Sequence, residues 1–126
     1  MAMNPVGWFE IYVNDMERAK AFYQAVFAVT LEQISDEAKA GVEMWGFPSD
    51  MEQYGASGAL AKMEGVAAGG NSTMVYFSCQ DCAVEESRVN DAGGKVEHSK
   101  FSIGPHGFIS VVADTEGNMI GLHSMS

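Results

Sequence analysis

Basic residues are scarce in this chain: seven lysines and arginines stand against seventeen aspartates and glutamates, a formal net charge of −10. That balance repels phosphate backbones and anionic lipid surfaces, so neither nucleic acid nor membrane is expected as a partner. Cysteines number two and prolines three, too few cysteines for the disulfide framework of a small secreted scaffold. No stretch approaches the ~20 consecutive apolar residues that cross a bilayer. Met1 to Gly7 shows no basic segment running into an apolar one, so no leader is expected and cytoplasmic residence is the default. What is present is 47% apolar residues with aromatics spread along 126 positions, the composition and length of one domain that folds by itself.

The two cysteines, Cys79 and Cys82, form a C-x-x-C where a strand passes into a helix. A redox dithiol would use that place, because a helix amino terminus lowers a thiol pKa. Cys79 alternates in phase with Val75 and Phe77, however, which predicts buried thiols acting as small apolar residues.

Two stretches 66 positions apart share one plan, an alternating run ending in aspartate and then an amphipathic helix. In the first, Phe9, Ile11 and Val13 alternate with Trp8, Glu10 and Tyr12, as in a strand with two different faces. Asp15 suits an N-cap, and Met16, Ala19, Phe22, Tyr23 and Val26 recur at helical spacing up to Phe27. The helix should cover Phe9, Ile11 and Val13 and leave Trp8, Glu10 and Tyr12 on the opposite side. Strands are expected near Thr30–Ile34, Gly41–Phe47 and Gly58–Met63, with Pro48–Ser57 as a rim loop and Gly65–Asn71 as the linker between halves.

In the second half Val75, Phe77 and Cys79 take the helix-facing phase, leaving Met74, Tyr76 and Ser78 opposite. Asp81 caps a helix from Cys82 to Ala92, with Glu85 standing in its apolar stripe, and Gly93-Gly94 ends it. Lys95–His98, Phe108–Ala113 and Met119–Ser124 read as strands joined by the turns Gly104–Gly107 and Asp114–Asn118. In the last strand Ile120 and Leu122 share one phase, and Met119, Gly121 and His123 the other.

Strand, helix and three strands given twice, with F-E-I-Y-V-N-D-M-E-R-A-K-A-F-Y, D-A-G-G-K-V, I-G-P-H-G-F-I and the closing D-T-E-G-N-M-I-G-L-H-S, resembles the vicinal oxygen chelate superfamily of glyoxalases, bleomycin-resistance proteins and extradiol dioxygenases. The resemblance implies an α+β fold over residues 1–126: two βαβββ modules, about 5–64 and 71–125, forming a curved mixed sheet with helices on its convex face. It also implies pairing of modules within or between chains, and a homodimer.

Metal-dependent members of that family hold a divalent ion with histidine and glutamate side chains. The implied ligand positions are occupied here by Trp8, by Met74 beside Thr73, by Gly121, and by a strand whose one charged residue is Lys62. Indole, thioether and glycine do not ligate such an ion. No metal or other cofactor is therefore expected. The alternative is a relocated site using His98, His106 or His123, of which only His123 takes the cavity phase of a strand.

The side chains expected to line a concave cavity are Trp8, Glu10, Tyr12, Trp45, Met74, Tyr76, Ser78, Gly121 and His123. Aromatic walls with a few polar groups suit a small organic ligand. Glu10, flanked by rings, would be partly desolvated and suited to acid–base work, alone or with His123; the competing reading makes it a hydrogen-bond acceptor that organises the wall. Three functions follow as expectations. One is a metal-free binding protein of the bleomycin-resistance type sequestering a small aromatic compound, which the acidic charge would help attract if it is cationic; another is a glyoxalase- or dioxygenase-like enzyme, a lyase or oxidoreductase; the third is a cofactor-free acid–base enzyme using Glu10.

Overall fold

A computed structural model describes residues 8–50, 52–53, 55–70 and 73–126, with only the backbone of His106. The expected module starts at residues 5 and 71 lie outside these, as do the Met1–Gly7 segment, the linker end at Asn71 and the His106 side chain. In chain order the elements are β1 (Trp8–Tyr12), α1 (Met16–Phe27), β2 (Glu32–Ser35), α2 (Glu37–Ala40), β3 (Glu43–Gly46), β4 (Ser57–Lys62), β5 (Tyr76–Ser78), α3 (Cys82–Val89), β6 (Lys95–Ser102), a 3₁₀ turn (Gly104–His106), β7 (Phe108–Ala113) and β8 (Met119–Ser124). Among the described residues no helix is long and apolar enough to cross a membrane.

The duplication carries through to topology. The first four strands form one sheet in the order β1-β4-β3-β2 and the last four another in the order β5-β8-β7-β6. In each the first and last strand of the half pair in parallel and the rest antiparallel. The architecture is thus α+β, built from two βαβββ modules, each with its own four-stranded mixed sheet.

Helix α1 forms as its pattern predicts. The Asp15 carboxylate accepts the Arg18 N–H at 3.0 Å, satisfying one of the donors a helix start leaves open. Met16, Ala19, Phe22, Tyr23 and Val26 are all buried. Helix α3 is capped by Asp81 but ends at Val89, short of the expected Ala92. Its chain reverses through Asn90 and Gly93 (φ 98°), where the Gly94 N–H closes on the Val89 carbonyl at 3.0 Å. Helix α2, four residues between an Asp36 cap and Gly41 at φ 77°, is too short to leave a periodic signal and was not expected from the sequence. Strand β6 runs four residues beyond the expected end, because register shifts between Val96 and His98 and again between His98 and Phe101 break its alternation.

One core joins the modules, with Ile11, Val13, Phe22, Tyr23 and Leu60 of the first half packed in a single cluster with Cys82, Val89, Val112, Ile120 and Leu122 of the second. Phe77 of β5 lies at the seam, stacked on Phe27 with ring centroids 4.6 Å apart and edge-on to Phe9 at 5.8 Å.

The Asp114–Asn118 turn is more than a connector. Its Asp114 carboxylate accepts the buried Tyr23 O–H at 2.7 Å and the backbone N–H groups of Glu116 and Asn118, both at 2.8 Å. Glu116 has a fully buried side chain and accepts the N–H groups of Asn14 and Asp15 at the start of α1, both from Arg18 (2.7 and 2.9 Å), and the Thr115 hydroxyl. Asn118 donates to the Tyr12 carbonyl at 3.1 Å and accepts the Gly69 N–H. The turn therefore latches the second module onto the first within one chain. Burial alone would raise the Glu116 carboxyl, but Arg18 and the donors around it hold it down at about 2.

Candidate functional site

Alternation in β1 turns Ile11 (7% exposed) and Val13 (1%) into the core, and so turns Trp8, Glu10 and Tyr12 to the other face. There they hold one another. The Trp8 indole N–H donates to one Glu10 oxygen at 3.2 Å and the Tyr12 O–H donates to the other at 2.9 Å. The Tyr12 hydroxyl is raised above its ordinary value, first by that hydrogen bond and then by burial and by the Glu10 charge. Glu10 itself is exposed to solvent, so the desolvation expected for an acid–base carboxylate is not found; what the geometry shows is an acceptor gripped by two aromatic donors.

On β5 and β8 the register pairs Tyr76 with Gly121 and Ser78 with His123. Leu122 and Ile120 are buried in the core, which puts Gly121 and His123 on the open face with Tyr76 and Ser78. The Tyr76 ring lies directly over Gly121: a Cβ built there would fall inside the ring's van der Waals envelope. Phe9 and Phe77 touch across the seam on the core side. Their strand neighbours Trp8, Glu10, Tyr76 and Ser78 therefore meet the same seam on the open side. Met74, just before β5, is 36% exposed.

Trp45 is not brought to this face. It stands opposite Leu60, a core residue. Lys20 of α1 sits 3.4 Å from its ring centroid, and its indole N–H donates to Glu43. The alternate residue Met44, opposite Ala61, takes the open phase instead. His98 also moves, from an expected strand end to mid-strand in β6, opposite Val111 and with its ring centroid 6.0 Å from that of Phe101. Val111 stands opposite Gly121, so His98 shares the open face.

A groove of about 410 Å³ runs along the seam between β1 and the second sheet, lined by Glu10, Tyr12, Thr73, Val75, Asn118 and Met119 among others. It supplies an apolar wall beside the Glu10 carboxylate. Trp8 and Tyr76 lie outside its lining, on the open surface next to it.

The family-implied ligand positions do not fit a divalent ion. Trp8 and Met74 offer no suitable donor, Lys62 is a cation 3.9 Å from Glu37, and at Gly121 the Tyr76 ring fills the space a carboxylate would need. Among the described residues no group of three or more histidine, cysteine, aspartate or glutamate side chains is placed to hold a metal.

The C-x-x-C cysteines are free, with Cys82 fully buried. Burial first, and then the charge and hydrogen bond of Glu85, push the Cys79 thiol up to about 12, opposite to the shift a redox dithiol needs.

Comparison with known proteins agrees with this architecture. The sequence profile of the Glyoxalase/Bleomycin resistance protein/Dioxygenase superfamily matches residues 6–122. No match is found among curated protein sequences. Among solved structures, TnmS3, an antibiotic binding protein from Streptomyces sp. CB03234, is 23% identical with a TM-score of 0.66, over 100% of this chain and 99% of that one. Glyoxalase I from Zea mays is 19% identical with a TM-score of 0.74, over 96% of this chain and 46% of that one, so the chain spans about half its length. A glyoxalase/bleomycin resistance protein/dioxygenase family enzyme from Burkholderia phytofirmans PsJN is 16% identical with a TM-score of 0.69, over 95% and 98%. At these identities the likeness to solved structures is one of fold; together with the profile match over nearly the whole sequence, it follows that this chain belongs to the Glyoxalase/Bleomycin resistance protein/Dioxygenase superfamily.

Proposed function

We propose that this protein binds a small organic molecule on the open face at the seam of its two sheets, with Trp8, Glu10, Tyr12 and Tyr76 as the contact residues and no resident metal. One observation carries the reading: a carboxylate held by two aromatic donors on β1 shares the open face with a ring on β5 that covers Gly121, and the two strands meet through Phe9 and Phe77. Half-exposed rings offer contact area at little conformational cost, and the adjoining groove adds an apolar wall. The shared fold of TnmS3, an antibiotic binding protein, supports this reading.

Glu10 then acts as an anchor, Ser78 and His123 as polar groups at the margin, and Met74 as an adaptable apolar contact. The reading extends to a symmetric homodimer in the cytoplasm, for which light scattering that returns a monomer mass is the counter-evidence. A second reading, a glyoxalase- or dioxygenase-like enzyme with a relocated ion, draws on the placement of His98 on the same face as His123. Thermal-shift screening of dialysed protein separates the two, since a ligand that binds the native state raises its melting temperature by mass action. Aromatic compounds should stabilise the protein with a chelator present. Stabilisation by zinc, nickel or manganese alone, with a stoichiometric ion retained after dialysis, would overturn the proposal.

A further inference from the structure

The polar capacity of the clasp around Glu10 is lopsided. Both aromatic donors beside Glu10 are already committed: the Trp8 N–H to one carboxylate oxygen and the Tyr12 O–H to the other. Each oxygen accepts one of these bonds and retains further lone-pair capacity. The clasp can therefore still accept but has no side-chain donor left to give. Among the described residues no lysine or arginine forms an ion pair with Glu10, and the net charge of −10 sets a negative field around it. A ligand that brings a positive charge, or donors on a cationic group, meets a complementary site. An anionic or acceptor-only ligand meets repulsion.

The second half of the site is a platform. Tyr76 is 48% exposed although its ring covers Gly121, so one ring face rests on the β8 backbone while the other looks outward. Only glycine at 121 permits this, because any Cβ would lift the ring off the sheet. Trp8, 47% exposed with its N–H tied down, presents a second ring across the seam. Rings with an outward face attract cations and flat apolar groups alike.

We propose that Tyr76 laid on Gly121, together with the Trp8–Glu10–Tyr12 clasp, forms a two-part subsite for a flat, positively charged ring: Tyr76 supplies the stacking surface, Gly121 sets its orientation, and Glu10 selects the charge. This rests on the binding reading above and deepens it to a ligand class.

The test uses two planar probes of nearly equal size, 10-methylacridinium and uncharged acridine, at pH 8 with a chelator present. Binding is measured by equilibrium dialysis and by Trp8 fluorescence in a Trp45→Phe background. The wild-type protein should bind the cation about tenfold more tightly than acridine, the scale of one carboxylate at a partly exposed site. Glu10→Gln should bring the two affinities within about twofold of each other. Tyr76→Leu should weaken both probes by roughly three- to tenfold, the worth of an aromatic contact. Gly121→Ala should do the same with the Tyr76 side chain still present, and circular dichroism should show the fold intact; if that variant does not fold, Tyr76→Leu carries the comparison. A cation preference that survives Glu10→Gln, or none in the wild type while both probes bind, overturns the ligand class and leaves the binding reading standing. Failure of both probes to bind the wild-type protein overturns both.

Discussion

Replacing Glu116 with glutamine tests whether the two modules are held together by the buried carboxylate. The substitution keeps the shape and removes the charge. Five donors converge on the carboxylate: two backbone N–H groups at the start of α1, two from Arg18 and the Thr115 hydroxyl. An amide has one oxygen and one NH₂ group, so whichever way it turns, at least two donors face another donor. Breaking one side of a buried charge pair costs about 3–5 kcal/mol; Arg18 is half exposed, with 52% of its side chain open to water, so screening lowers the expected loss to about 2–3 kcal/mol. For a domain of this size that is a fall in Tm of roughly 8–12 °C.

The pH dependence gives the prediction a second edge. The carboxyl is held at about 2 in the folded protein against an ordinary value of 4.5. Its stabilising contribution is therefore fully present above pH 4.5 and is lost as pH falls towards 2. Urea unfolding at pH 7 should show the full gap between wild type and Glu116→Gln, and the gap should narrow steadily below about pH 5. A variant within about 0.5 kcal/mol of wild type at pH 7, or a gap that widens on acidification, would refute the latch.

Three further outcomes follow from the same geometry. Tyr23→Phe removes the O–H donated to Asp114 at 2.7 Å while keeping the ring, and should cost about 1–3 kcal/mol in urea unfolding, the price of a buried acceptor left short of one partner. Gly94→Ala would drive a Cβ into the Phe22 ring and the Ala113 carbonyl, and should lose at least about 2 kcal/mol by the same measurement. The Cys79 thiol, pushed up to about 12, should react slowly with a disulfide reagent at pH 8 in the native protein and rapidly in urea; fast native reaction would reopen the redox reading.

The parts of this fold that were legible in the sequence are those with uninterrupted periodicity and a local cap. Asp15 and the five buried positions of α1 fix that helix to the residue, and the flanking turns Gly104–Gly107 and Asp114–Asn118 do the same for β7 and the start of β8. The face of β1 was legible for the same reason, since a single-residue slip would bury Glu10 and expose Val13. Trp45 was not, because Glu43, Met44, Trp45 and Gly46 show no clear polar–apolar contrast and only pairing with Leu60 decides the phase. Register shifts hid the length of β6 and with it the position of His98. The latch could not be read at all: Glu116 and Arg18 lie 98 positions apart, and no local rule connects them. The covering of Gly121 by Tyr76 is likewise a long-range pairing, signalled only by a glycine in the middle of a strand.

The central claim, that the open face at the seam takes an organic ligand without a metal, is tested most directly by the indole N–H resonances of Trp8 and Trp45 during titration with 10-methylacridinium in the presence of a chelator. The account predicts a saturable shift of the Trp8 signal, with Trp45, on the opposite side beneath Lys20, unmoved. A Trp8 signal that moves only after a divalent ion is added, or a response confined to Trp45, would contradict it.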